Sequence, residues 1–191
     1  MGYSDDFGAT WVGRNQGLPG ADTEPPYDGG SMTACAAPVT SVVLDPRSPV
    51  ASRTLFAALW EHGVYRSVDG GLSWESRSIG LGVPGVNLRA CRLELHPDGT
   101  LFCLITGKMR DSALMAEGVG LYRSADQGGS WSKLTGALDL RWLTDFTVDP
   151  RDSRIVYFGA CDDTRGLAEG GLFGTRDGGQ SWTRLLRRSS R

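Results

Sequence analysis

Ser67-Val-Asp69-Gly-Gly71-Leu-Ser73-Trp74 is an octad that this chain writes four times. The other copies carry Ser4, Asp6, Gly8, Thr10 and Trp11; Ser124, Asp126, Gly128, Ser130 and Trp131; and Thr175, Asp177, Gly179, Ser181 and Trp182. Five specified positions, Ser/Thr-x-Asp-x-Gly-x-Ser/Thr-Trp, met four times in 191 residues mark a structural repeat. Each residue type suits a tight turn between antiparallel strands. The hydroxyl and the carboxylate close onto nearby backbone groups, and Gly supplies the positive φ of a hairpin. Trp then opens the outgoing strand, where its ring can bury against a neighbouring sheet and its N–H can reach a backbone acceptor. The octads offer too few regularly spaced oxygens for an EF-hand-like calcium loop, so no metal and no cofactor is expected.

The surroundings repeat as well. Val42-Val43-Leu44-Asp45-Pro46, Leu93-Glu94-Leu95-His96-Pro97 and Phe146-Thr147-Val148-Asp149-Pro150 are apolar runs that stop at a proline turn. A second run follows each, at 54–59, 100–106 and 154–160, and a third, containing Tyr65, Tyr122 or Phe173, leads into the octad. Each unit therefore reads as strand A, proline turn, strand B, loop, strand C, octad, strand D. Asp-to-Asp steps of 63, 57 and 51 residues accommodate a four-stranded β-propeller blade with loops of unequal length. The expected fold is an all-β propeller of four-stranded antiparallel blades in an incomplete ring of about three and a half blades. Residues 38–80, 88–136 and 141–187 are the complete blades; residues 2–16 are the end of a truncated one, with strand C cut short at Met1 and strand D over Trp11 to Gln16. Propellers need four to eight blades, so the chain reads either as a fragment or as a unit that completes its ring by self-association. The fragment is favoured, because an open end leaves sheet faces uncovered.

Twenty Lys and Arg against 22 Asp and Glu leave no basic field for nucleic acid or an anionic membrane. No apolar run approaches a membrane span and no signal peptide is visible. Cys35, Cys91, Cys103 and Cys161 lack metal-ligand spacing and read as buried free thiols, with a Cys35–Cys91 disulfide left open.

With these residues in view, the octad resembles the Asp box, or BNR repeat, of sialidases, xyloglucanase-type glycoside hydrolases, sortilin-like receptor domains and photosystem assembly propellers. The phrasing Val-Tyr-Arg-Ser-Val-Asp-Gly-Gly-Leu-Ser-Trp and Val-Asp-Pro-Arg-Asp-Ser-Arg-Ile-Val-Tyr-Phe-Gly looks most like the xyloglucanase and sortilin-like branch. The resemblance implies more blades than are present and an extracellular or periplasmic location. It is unspecific for function, since enzymes, receptors and assembly factors share the scaffold. Sialidases of this family use an arginine triad, a Tyr and Glu nucleophile pair and an Asp acid, with an Arg-Ile-Pro signature that does not occur here. No convincing match to the catalytic Asp motifs of xyloglucanases occurs either, so catalytic residues are unknown.

Strand alternation puts the A–B and C–D turns, with the octads, at one end of each blade and the B–C and D–A loops at the other. The second end carries the long irregular loops, where binding residues tend to gather. It would present Trp60, Glu61 and His62, the segment from Lys108 through Arg110 to Gly118, Asp162 and Asp163, and Tyr27. Tyr27 and Trp60 could stack on a sugar ring, and Glu61, Asp162 and Asp163 could serve as acid and base. Against this, Asp162-Asp163 reads more simply as a solvated turn and His62, beside Gly63, as a turn residue. Arg92 and Asp145 both stand five residues before the turn proline, on strands lining the channel, where they could pair across neighbouring blades or, as ligand-face candidates, contact a ligand. The expected function is a glycan- or protein-binding scaffold without a complete catalytic site. The alternative is a fragment of a secreted glycoside hydrolase with carboxylates partly in missing blades. Expected partners are an oligosaccharide or polysaccharide, or a protein, with no nucleic acid and no membrane span.

Overall fold

The computed structural model describes residues 2–19, 38–110, 113–136, 138–161 and 170–186. They form three four-stranded antiparallel sheets, each a propeller blade. The first contains β3 (Val39–Leu44), β4 (Leu55–Leu59), β5 (Gly63–Ser67) and β6 (Glu75–Ser76). In the second, β7 (Ala90–Leu95), β8 (Leu101–Ile105), β11 (Gly120–Ser124) and β12 (Ser132–Lys133) lie side by side in chain order. The third is β13 (Leu143–Asp149), β14 (Asp152–Ala160), β15 (Gly171–Thr175) and β16 (Thr183–Leu186). Ahead of them, β1 (Gly2–Tyr3) pairs with β2 (Val12–Gly13) across the first octad. The described blades are too few to close a ring. Two details depart from the sequence reading. The strand after Trp11 is only β2, although Gln16 bridges to Ser73 in parallel. The expected irregular loop after Lys108 holds a hairpin of β9 (Lys108–Arg110) and β10 (Ala113–Met115).

Alternation along the second strand of each blade sets the packing. In β8, Leu101, Cys103 and Ile105 join Phe56, Ala58 and Val64 of the first blade in one buried cluster. Phe102 and Leu104, on the other face, join Phe146, Val156, Phe158 and Phe173 of the third. Both faces are covered, so β8 is apolar throughout, as a strand buried on both sides must be. A smaller cluster, Leu18, Ala57, Leu59 and Trp74, seats the N-terminal segment on the first blade.

All four octads close the same way. The first hydroxyl donates to Asp Oδ1 at 2.6–2.8 Å and accepts the Gly amide at 2.7–3.0 Å. The Asp also accepts the amide of the second Ser or Thr at 2.9–3.0 Å and that residue's hydroxyl. Gly8, Gly71, Gly128 and Gly179 all have positive φ, between 83° and 90°. The indole then reaches back to the preceding unit: Nε1 of Trp74 is shared between the Arg14 carbonyl at 3.2 Å and Gly71 of its own octad at 2.9 Å, that of Trp131 donates to Arg77, and that of Trp182 to Leu134. Trp11 corrects the expectation of a buried ring. It is 67% exposed, and its N–H keeps only the bond to Gly8 within its own octad that Trp74 makes to Gly71.

The hydroxyl and amide donors hold Asp6, Asp69 and Asp126 down to about 2 from the usual 3.8, and they depress Asp177 likewise. A carboxylate whose folded-state pKa lies below its unfolded value contributes stability above the unfolded value and loses it as pH falls through the folded one. The thermal midpoint is therefore expected to hold near neutrality and drop between about pH 4 and about pH 2. The same titration on Asp126→Asn should show a shallower drop; identical acid limbs would remove the octads from the pH dependence.

Cys103 is buried, as expected, but Cys91 is only partly covered and Cys161 is exposed. Cys91 is a free thiol, so the Cys35–Cys91 bridge is not formed; Cys35 itself lies outside the described residues.

Candidate functional site

The turn between β4 and β5 is three residues long and is made of Trp60, Glu61 and His62. His62 donates its amide to the Leu59 carbonyl, the hydrogen bond of a turn residue. Glu61 adopts φ +66°, a left-handed conformation uncommon for a residue with a Cβ. In that position its carboxylate meets Arg89, whose Nη2 and Nε lie 2.8 and 3.1 Å from one Glu61 oxygen. The same guanidinium covers the Trp60 ring, 4.8 Å from its centroid. A shallow pocket of about 120 Å³ opens beside the pair, lined by Glu61, Val86, Asn87 and Arg89. That is far below the ~300–1,000 Å³ of an enclosing small-molecule site. Such a surface can hold one edge of an extended ligand but cannot bury one.

The second cluster lies on the innermost strands. Arg92 of β7 pairs with Asp145 of β13, across the boundary between two blades. Arg92 also lies 3.8 Å from Glu94 and covers the Phe146 ring at 5.3 Å. Ser41 occupies the equivalent position in the first blade, and its hydroxyl accepts the Leu93 amide at 3.1 Å. One strand position thus tacks each blade to the next. Burial pushes the Glu94 carboxyl up from its usual value, opposed by the Val148 amide, which donates to it at 3.2 Å, and by Arg92. Two residues on, buried His96 contacts the Asp149 carbonyl through Nε2 at 3.1 Å and Asp98 through Nδ1 at 2.9 Å.

Arg92 and Asp145 are brought together, and Trp60 with Glu61 forms one corner of a site. Lys108 and Arg110 belong to β9, in the connection between β8 and β11, at the same end of the blades as the Trp60 turn. Tyr27, Asp162 and Asp163 lie outside the described residues. Sequence reading missed Arg89 and Glu94. Glu94 was detectable as a charge at a central position of the apolar run Leu93–Leu95; Arg89, in a loop before β7, gave no local signal. Among the described residues no group of three or more His, Cys, Asp or Glu side chains gathers as a metal site would, and no helix is long and apolar enough to cross a membrane.

No protein-family profile and no curated protein sequence matches the chain. Solved structures do. The GH74 xyloglucanase from Xanthomonas campestris superimposes with a TM-score of 0.67 at 22% identity, over 97% of this chain and 26% of that one. The GH74 enzyme of Niastella koreensis gives 0.60 at 19% identity, over 93% and 25%. YCF48 from Cyanidioschyzon merolae gives 0.51 at 16% identity, over 80% and 38%. The chain thus spans about a quarter of the length of the two GH74 proteins. What it shares with all three, at these identities, is the β-propeller fold.

Proposed function

We propose that this chain is an Asp-box propeller scaffold, one partial domain over residues 1–191, that binds a glycan or protein at the loop end of its blades and lacks a complete catalytic site. The observation that carries this reading is the engagement of the candidate carboxylates among the described residues. Glu61 is held by Arg89, Asp145 by Arg92, and Glu94 by Arg92 and the Val148 amide. A general acid and base for glycoside hydrolysis must face the scissile bond from two sides, whereas these groups face their own cations. The shallow surface beside Trp60 suits an extended partner such as a polysaccharide chain. An extracellular or periplasmic location fits such a partner, and self-association through open sheet faces belongs to the same reading.

The second reading, a fragment of a secreted glycoside hydrolase, draws on the likeness to the two GH74 proteins. Titration calorimetry of the chain with xyloglucan oligosaccharides, beside an assay for released reducing ends, separates the two. Binding without hydrolysis is expected. Trp60→Ala should weaken it by about tenfold, the loss of one aromatic platform worth ~1.5 kcal/mol. Hydrolysis by the chain would overturn the scaffold reading, and binding unchanged by Trp60→Ala would move the site elsewhere.

A further inference from the structure

The clefts between consecutive blades repeat position by position at the octad end, and one side chain breaks the repeat. In the first cleft, Arg66 of β5 stands opposite Glu75 of β6, and its Nη2 and Nε donate to one Glu75 oxygen at 2.7 and 3.2 Å. Its Nη1 crosses to the second blade and donates to Gln127 Oε1 at 3.0 Å. Arg77 donates to the same Glu75 oxygen, with Nε at 3.1 Å. A carboxylate held between two guanidinium groups fills this cleft.

The second cleft has the same frame without the acid. Arg123 of β11 stands opposite Ser132 of β12, in the register that joins Arg66 to Glu75. Leu134 replaces Arg77, and Gly178 of the fourth octad replaces Gln127. Arg123 still reaches the next blade, since a Cβ on Gly178 would lie 3.3 Å from its Nη1. Among the described residues, however, no acceptor meets its guanidinium. Arg66 is half-buried and Arg123 exposed. An open cleft of about 410 Å³ is lined by Arg123 and Ser132, with Thr100 and Ser130. That volume lies within the ~300–1,000 Å³ of small-molecule sites. The octad carboxylate Asp126 does not answer Arg123, because it is taken up by Ser124 and by the amide and hydroxyl of Ser130. Its counterpart Asp69 is engaged in the same way in the first blade, where Glu75 is accommodated nonetheless.

We propose that the second cleft binds the carboxylate of a small acidic ligand, of sugar-acid size, which pairs with Arg123 as Glu75 pairs with Arg66 and accepts a hydrogen bond from the Ser132 hydroxyl. A planar guanidinium receives a carboxylate through parallel N–H donors, and the first cleft holds that group in the equivalent place. The site lies at the octad end of the blades, opposite the Trp60 turn, and depends on neither functional reading given above.

Titration with glucuronate, followed by nitrogen–proton correlation NMR of the whole chain, is the test. The Arg123 Nε–H and the Ser132 amide should shift together and reach half-saturation at about 1–20 mM, as suits one solvent-facing ion pair with few further contacts. Glucose and potassium chloride at the same concentrations should leave both signals in place. Arg123→Gln removes the cation, and the Ser132 amide should then stop responding. Ser132→Glu returns the acid of the first cleft to the second, so the Arg123 Nε–H should move before any ligand is added and glucuronate should no longer shift it. Both positions are exposed, so both variants should keep the wild-type thermal midpoint. An unmoved Arg123 signal, an equal response to glucose or chloride, or binding that survives either substitution would overturn the proposal. Trp60→Ala should leave this titration unchanged, which keeps it separate from the xyloglucan experiment.

Discussion

Phe158→Ala should lower stability by about 3–5 kcal/mol, the loss expected for removing a buried aromatic and leaving a cavity. Phe158 is 1% exposed at the centre of the third blade. Its ring stacks on Phe173 at 5.0 Å and meets the edge of Trp182 at 4.9 Å, so two aromatics from two other strand regions lose their common partner. For a chain of this size the thermal midpoint should fall by roughly 10 °C or more. Tyr157→Ala is the control. Tyr157 is adjacent in sequence but lies on the opposite face of β14, where burial is incomplete, and its truncation should cost clearly less. Equal losses from the two substitutions would mean that the boundary between the second and third blades does not hold the packing ascribed to it.

Gly80→Ala is expected to cost about 2–4 kcal/mol, from left-handed backbone strain and from steric overlap together. Gly80 has φ +81°, and a Cβ there would lie 2.6 Å from the Trp131 carbonyl oxygen. That oxygen is backbone, held where the Trp131 amide donates to Ile79 at 2.9 Å, so it cannot swing aside as a side chain would. Gly85 separates the two costs. Its φ is +75°, but a Cβ there would meet nothing within 4 Å, so Gly85→Ala should carry the backbone cost alone, about 1–2 kcal/mol. Denaturant midpoints for the pair measure the difference. If Gly80→Ala were no worse than Gly85→Ala, the close approach between consecutive blades would not be a constraint.

The frame was legible in the sequence because local chemistry dictates it. The side chains of Ser67, Asp69 and Ser73 hydrogen-bond within eight residues, so their order in the chain already describes the turn. The proline after each inner strand likewise marks where the hydrogen-bond ladder must stop. Even the Arg92–Asp145 pair could be found, since it needs only two blades in the same register. Arg89 could not. Its contacts with Glu61 and Trp60 span 28 and 29 residues across a loop, and their geometry depends on the left-handed turn at Glu61. The exposure of Trp11 was equally hidden, because the octad that holds it meets the same five specified positions as the others.

The backward reach of each indole gives assembly a direction. Trp74, Trp131 and Trp182 all bond to carbonyls earlier in the chain, so every acceptor has left the ribosome before the donor that will find it. During synthesis, when N-terminal elements fold first, each new blade can lock as it emerges and none has to wait for a later one. A nascent chain whose residues through Lys133 have cleared the ribosome would already hold its first two blades joined.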